Sequence, residues 1–199
     1  MIWAALARNG GRGHQFDSSH AIEATGTGQR DSGESLADLD RSDWRYARCV
    51  AVLREVFEAD LPVFYEHQRD REAAAMAAFP PRERDEFMAH WAKTLASDSA
   101  LTWTVVSDGA VAGNIGCWED DGRRLVGYWI GREFWGRGLA TQALAELLDV
   151  VDTRPLHAYV AKSNVASIRV LEKCGFVKVG EHAGDDGIEE LLLELRAQT

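Results

Sequence analysis

Gly136 and Gly138 stand between an aromatic run, Tyr128–Trp129–Ile130, and a stretch in which Leu139, Ala140, Ala143, Leu144, Leu147, Leu148 and Val151 recur at helical spacing. The pattern reads as strand, turn, helix. A glycine-rich turn feeding a helix leaves several backbone N–H groups without intrahelical partners, all pointing one way along the helix dipole. Such a turn is either an anion site suited to phosphate or an ordinary connection. Two other phosphate loops are excluded. Gly138 is not followed by Lys and Ser/Thr, as a Walker A loop requires. The turn also lacks the third small residue that close helix packing demands of a dinucleotide fingerprint.

A second stretch runs from Asn164, Val165, Ala166 and Ser167 to Leu171–Glu172–Lys173–Cys174–Gly175–Phe176, about 25 residues further on. Ser163 or Asn164 can cap a helix there, and Gly175 stands where helix C-termini favour glycine.

The elements that must position these residues follow in order. A strand lies within Val50–Val56. Asp60 can cap a helix with Pro62 in its first turn. Asp70 can cap a second segment, Arg71–Ala78. In the next helix, Arg82–Ala96, the stripe Phe87, Trp91, Leu95 faces a core. A meander follows: Leu101–Val106, Val111–Trp118 and Arg124–Ile130, with Gly127 expected to mark a bulge. His157–Val160 is a strand that a crossover of this length places parallel to its predecessor. Phe176–Val179 and Ile188–Leu195 complete the strands, with turn chemistry at Gly184–Gly187. Residues 1 to 42 are glycine-rich and without apolar period, and read as a flexible or loosely attached arm. Residues 43–199 read as one domain, with order beginning near Trp44.

Composition narrows the classes. A net charge of −10 argues against general nucleic-acid binding. It suits either solubility alone or the attraction of cationic partners. The three cysteines, Cys49, Cys117 and Cys174, form no CxxC pair, so neither a disulfide framework nor a zinc site is expected, and a reducing cytoplasm is the default. The six histidines show no metal-ligand spacing. No apolar run reaches membrane-spanning length, and Ile2–Ala7 is too short for a secretory leader.

Together the two stretches resemble the GNAT family of acetyl-CoA-dependent N-acetyltransferases over roughly residues 50 to 195. Phe134 to Ala143 is similar to the family's pyrophosphate-binding turn, with Gly138 and Ala140 at its small positions and Trp135 where Gln or Arg is usual. The W-G-x-G-x-A-T version resembles the branch that includes ribosomal-protein N-terminal acetyltransferases, with Gln142 where a Glu often stands. The second stretch resembles the family's N-x-x-S…L-E-K-x-G-F segment.

The resemblance implies an α/β (α+β) GNAT fold: a mixed, mostly antiparallel sheet of six to seven strands, helices on both faces, splayed at the acyl-CoA cleft. It implies acetyl-CoA as cosubstrate, no metal, and transfer to a primary amine, either a protein N-terminus or a small cationic amine, by a monomer or homodimer. Trp129 and Ile130 would pair with the pantetheine arm, the Ile130 amide serving as an oxyanion donor. The amides of Gly136, Arg137, Gly138, Leu139, Ala140 and Thr141 would hold the pyrophosphate, and Asn164 would either contact the pantetheine or simply cap its helix. Ser167 is the candidate thiolate partner, because the family's frequent Tyr is Leu171 here. The family's frequent Glu base is Leu125 here, which leaves Glu119 as first substitute, then Asp120 and Glu189. Arg169 and Lys173 could meet nucleotide phosphates.

The chemistry has its own demands. A lysine-like amine, of pKa ~10.4, attacks only when neutral, so a base must take its proton. The attack on the thioester builds an oxyanion that N–H donors stabilise. None of the three cysteines lies where a covalent nucleophile is expected, so direct attack without an acyl-enzyme is the expected route. The missing Glu and Tyr keep a second reading open, an acyl-CoA-binding or sensory module with little catalysis.

Overall fold

The computed structural model describes residues 50–183 and 187–197. The arm expected over residues 1–42, the onset of order near Trp44 and most of the Gly184–Gly187 turn lie outside them. Seven strands form one sheet: β1 (Val52–Glu55), β2 (Leu101–Ser107), β3 (Ala110–Asp120), β4 (Arg123–Ile130), β5 (Leu156–Ala161), β6 (Val177–Ala183) and β7 (Glu189–Leu195). Their order across the sheet is β1-β2-β3-β4-β5-β7-β6. Every neighbouring pair is antiparallel except β4 with β5. That parallel pair is the one joined by a helical crossover, as chain geometry requires.

Among the described residues, five α-helices cover the two faces: α1 (Leu61–Arg69), α2 (Arg71–Ala77), α3 (Arg84–Leu95), α4 (Leu139–Val150) and α5 (Val165–Lys173). Alternation along the strands assigns the faces. Val126, Tyr128 and Ile130 of β4, with Leu156, Ala158 and Val160 of β5, pack with Leu139, Leu144, Leu147 and Leu171 of α4 and α5. Trp129 points the other way, into a core of Leu61, Phe64, Phe79, Phe87 and Trp91 beneath α1, α2 and α3. The edge strand β1 is tied down by α4: Gln142 Oε1 accepts from the Ala51 N–H (3.0 Å), and Glu146 Oε1 accepts from that of Leu53 (3.3 Å).

Several local expectations are corrected. Asp70 caps α2 as expected, its Oδ1 accepting from the N–H groups of Glu72 and Ala73. Asp60 does not cap α1. It lies buried and accepts two bonds from Arg54 (2.6 and 2.7 Å) and one each from the Thr104 hydroxyl and the Phe57 N–H. A guanidinium within reach outcompetes the helix amides for a carboxylate. In α3 the buried stripe is Phe87, Trp91 and Thr94, and Leu95 is exposed, because the helix turns its last residue past the core. The β3–β4 ladder runs without a break through the Gly116–Gly127 pair; the register shifts fall instead at Ala112 of β3, opposite the Val105–Val106 step of β2, and at Val179 of β6.

Candidate functional site

The sheet opens between β4 and β5. Only Arg124 with Leu156 and Leu125 with His157 are in register, although β4 continues to Ile130 and β5 to Ala161. The strands therefore part over their C-terminal halves. The ladder on the other side of β4 determines which backbone groups face the gap. The Gly131 N–H donates to the Ala112 carbonyl at 2.9 Å. Given the strict alternation of an antiparallel ladder, Trp129 and Gly127 then exchange bonds with β3, and the polar groups of Tyr128 and Ile130 turn away from it, toward the opening. The Ile130 carbonyl is taken by the Trp135 indole N–H at 2.9 Å. The Ile130 N–H is left aimed into the gap.

From Ile130 the chain enters a one-turn 3-10 helix, Arg132–Phe134, and then the glycine turn. Gly136 and Gly138 have φ of +75° and +79°, a region that favours glycine. Gly138 is the N-cap of α4, no side chain caps that helix, and no acid stands in its first turn. Its first amides remain directed outward, as an anion site requires.

These features line one cleft of about 430 Å³. Its walls are Tyr128 and Ile130 of β4, Phe134, Trp135, Gly136 and Gly138 of the turn, and Leu139, Ala140 and Thr141 of α4. Met76 of α2 and Ala166, Ser167, Arg169, Val170 and Lys173 of α5 close it. Most of the residues read from the two sequence motifs thus meet at one place.

Four do not line the cleft. Trp129 lies on the opposite face, its indole N–H donating to the His67 carbonyl at 3.0 Å. Its backbone serves the β3 ladder, so the strand groups offered to a ligand belong to Tyr128 and Ile130. Arg137 stacks over the Phe134 ring and donates to the Glu133 carbonyl, contributing to the turn through its backbone. Asn164 is fully buried as the N-cap of α5, its Oδ1 accepting from the Ser167 N–H at 3.1 Å. Glu119 is the clearest departure. It pairs across the ladder with Arg124, also forms an ion pair with it (3.4 Å), and is exposed. Arg124 is six residues from Ile130, so Glu119 stands ~20 Å from the Ile130 N–H at strand rise, and ~13 Å from Tyr128. Asp120 lies further still, and Glu189 is bound to Lys162.

Sequence reasoning passed over Tyr128. It is buried, lines the cleft, and interacts with Ser167; burial pushes the phenol pKa upward, against the lowering influence of Ser167. The signal was present in the strand alternation, which assigns adjacent residues to opposite faces. Leu125 and Leu171, where the family's Glu and Tyr are usual, are both buried in the core.

A family model for the acetyltransferase (GNAT) domain matches residues 51–177. The chain belongs to the GNAT acetyltransferase family. Among curated proteins it is 33% identical over 66 residues to the uncharacterised N-acetyltransferase p20 of Bacillus licheniformis, a match spanning 31% of this chain and 37% of that relative. Among solved structures, a spermidine N-acetyltransferase of Vibrio cholerae in complex with CoA and spermine superposes with a TM-score of 0.65 at 18% identity, covering 73% of this chain and 95% of that one. A GNAT-family acetyltransferase of Bacillus anthracis gives 0.64 at 16% identity, covering 74% and 95%. An aminoglycoside acetyltransferase in complex with coenzyme A gives 0.62 at 21%, covering 73% and 94%. These structures share the GNAT fold with this chain. Among the described residues, no cluster of His, Cys, Asp or Glu could hold a metal ion, and no helix is long and apolar enough to cross a membrane.

Proposed function

We propose that this GNAT protein takes acetyl-CoA as donor and transfers the acetyl group to a primary amine by direct attack. The observation that carries the reading is the opening beside β4, where the Ile130 N–H faces a gap that runs into the glycine turn. The pantetheine arm lies along Tyr128 and Ile130 as an added strand. The pyrophosphate rests on the turn amides from Gly136 to Thr141, with Arg169 and Lys173 on the cleft wall to receive further phosphate charge. The Ile130 N–H stabilises the oxyanion formed on the thioester carbon. The leaving thiolate takes a proton from Ser167, backed by Tyr128. A thiol of pKa about 8.5 needs only a weak acid.

The acceptor is a protein N-terminus or a small cationic amine. The acidic net charge supports a cation, as do the spermine and aminoglycoside chemistry of the structural neighbours. The W-G-x-G-x-A-T turn supports a place near the ribosomal-protein N-terminal acetyltransferases, and the cysteine pattern supports a reducing cytoplasm. One observation favours a second reading, an acyl-CoA-binding module with little catalysis: apolar Leu125 and Leu171 fill the positions of the usual base and acid. Incubation with acetyl-CoA and a panel of spermidine, kanamycin and an alanine-initiated peptide, followed by free-thiol detection, separates the two. Amine-dependent thiol release is expected. Tight acetyl-CoA binding without release across the panel supports the module instead.

A further inference from the structure

Beneath α1 and α3, on the Trp129 face of the sheet, lies a second and much smaller space of about 10 Å³, room for one water-sized group. Aromatic rings enclose it, that of Trp129 among them, and Gln68 of α1, His90 of α3, Asn114 of β3 and Arg82 also line it. Asn114 is the direct partner of Trp129 across the β3–β4 ladder, so the two side chains share this face. No residue of its wall also lines the cleft described above.

Its polar groups are unsatisfied. Gln68 and Asn114 are 5% and 4% exposed, yet Gln68 Oε1 and Asn114 Oδ1 have no hydrogen-bond partner. Neither has the enclosed Nη1 of the half-exposed Arg82. Buried polar groups are costly to leave unpaired, so three of them around one space point to a bound ligand. The space also carries uncompensated positive charge. Among the described residues no carboxylate is ion-paired with Arg82. Glu86 acts on it only at longer range, and its guanidinium carbon lies 5.0 Å from the centre of the Phe79 ring. Burial, with the charges of Arg82 and Lys93, brings the His90 pKa down to about 4, so His90 adds no charge at pH 7.

A water would satisfy the hydrogen bonds and leave the charge unbalanced, whereas an anion answers both. The two amides suit an anion, because no hydrogen bond among the described residues fixes which way either terminal amide is turned. A half-turn presents the NH₂ group in place of the oxygen. A planar guanidinium and flat amides match a carboxylate better than a spherical ion. We propose that this pocket binds a small carboxylate, with Arg82 as counter-ion and Gln68 and Asn114 as donors, at a site separate from the acetyl-CoA cleft. Only the oxygen end of the ligand enters. The remainder lies at the rim, where Arg82 and His90 are half-exposed. The carboxylate belongs either to a free ion of formate or acetate size or to the end of a longer molecule.

Thermal unfolding at pH 7 and constant ionic strength, set with sodium chloride, tests the site. The ligands are sodium formate, sodium acetate and two alanine-initiated peptides, one ending in a free carboxylate and one amidated. The Tm of the wild type is expected to rise saturably, by about 3 °C once the carboxylate exceeds its Kd tenfold, and the amidated peptide to give no rise. A rise with formate and acetate identifies a free ion, and a rise with the acid peptide alone identifies a longer ligand. Arg82→Gln is expected to abolish the response. Asn114→Asp places a carboxylate in the pocket itself and is expected to make Tm independent of added carboxylate, which decides the matter even where Arg82→Gln fails to fold. Acetyl-CoA affinity of folded Arg82→Gln, measured by calorimetry, is expected to match the wild type. A wild-type Tm that ignores every carboxylate means that the pocket holds water alone and overturns the proposal. A response that survives in either folded variant overturns it too, and a loss of acetyl-CoA affinity in Arg82→Gln contradicts the separation of the two sites.

Discussion

Tyr128 and Trp129 are neighbours in sequence and belong to opposite faces of the sheet. Their types alone gave no reason to prefer one over the other for ligand contact. The preference comes from the hydrogen-bond phase of the β3–β4 ladder, which commits Trp129 to β3 and releases Tyr128 and Ile130. Asp60 teaches the same lesson. Its position before Pro62 read as a cap, yet a long-range partner, Arg54, captured the carboxylate. Burial alone would raise the Asp60 pKa. The bonds from Arg54, the Phe57 N–H and Thr104, with the Arg54 charge, outweigh it and bring the pKa down to about 2. The depressed folded value fixes the sign. The stabilisation is fully present above the unfolded pKa of about 3.9 and is lost as pH falls through about 2. Asp60→Asn is expected to lower the unfolding free energy at pH 7 by about 2 kcal/mol in urea titrations, a difference that shrinks toward pH 2.

At the scale of elements, the chain order of strands and helices was legible from periodicity and turn residues, and the β4-turn-α4 unit was legible almost residue by residue. What could not be read is how far β4 and β5 stay paired, because the end of registered pairing depends on packing from both faces. The corner between α1 and α2 is one such constraint. His67 lies buried over Gly131, approaches Glu133 at 3.3 Å, and meets the Phe134 ring edge-on. Arg132 bonds to Asp70 and Glu72 at the start of α2. A methyl group at Gly131 would lie 2.6 Å from the His67 Nε2. Gly131→Ala therefore forces α1 away from the strand end, and calorimetric unfolding is expected to show a loss of about 1–3 kcal/mol, a Tm lower by several degrees. An unchanged Tm contradicts the tight seat of His67.

For the whole molecule, the fold class and family were within reach of the sequence because both motifs lie on local strand-turn-helix units. The insertion of β7 between β5 and β6 was not, because it depends on long-range pairing that no local motif encodes. Two histidines, the buried His67 of α1 and the half-buried His90 of α3, give the molecule a predictable acid response. Burial lowers the pKa of His67, with Glu133 acting against it. Burial, with Arg82 and Lys93, brings that of His90 down to about 4. The unfolded chain takes up these protons below about pH 6.5, and the folded protein resists doing so. The unfolded state then binds more protons, so stability falls as pH drops from about 6.5 toward 4. Denaturation midpoints measured across that range should show the decline, and His90→Gln should flatten it.

The central claim is that the opening beside β4 and the turn at Gly136–Thr141 hold acetyl-CoA. Isothermal titration of acetyl-CoA into the wild-type protein and into Gly138→Asp tests it directly. A Cβ at Gly138 would come no nearer than 3.7 Å to the Gln142 side chain, so the side chain has room although the φ of +79° strains it, and it brings an anion to the helix start; Gly138→Asn carries the same strain without the charge and serves as the control. One-to-one binding to the wild type is predicted, with Kd in the range of ordinary enzyme KM values, about 1 μM to 1 mM, and none to a folded Gly138→Asp. Equal binding by the two proteins, or none by the wild type, contradicts the account.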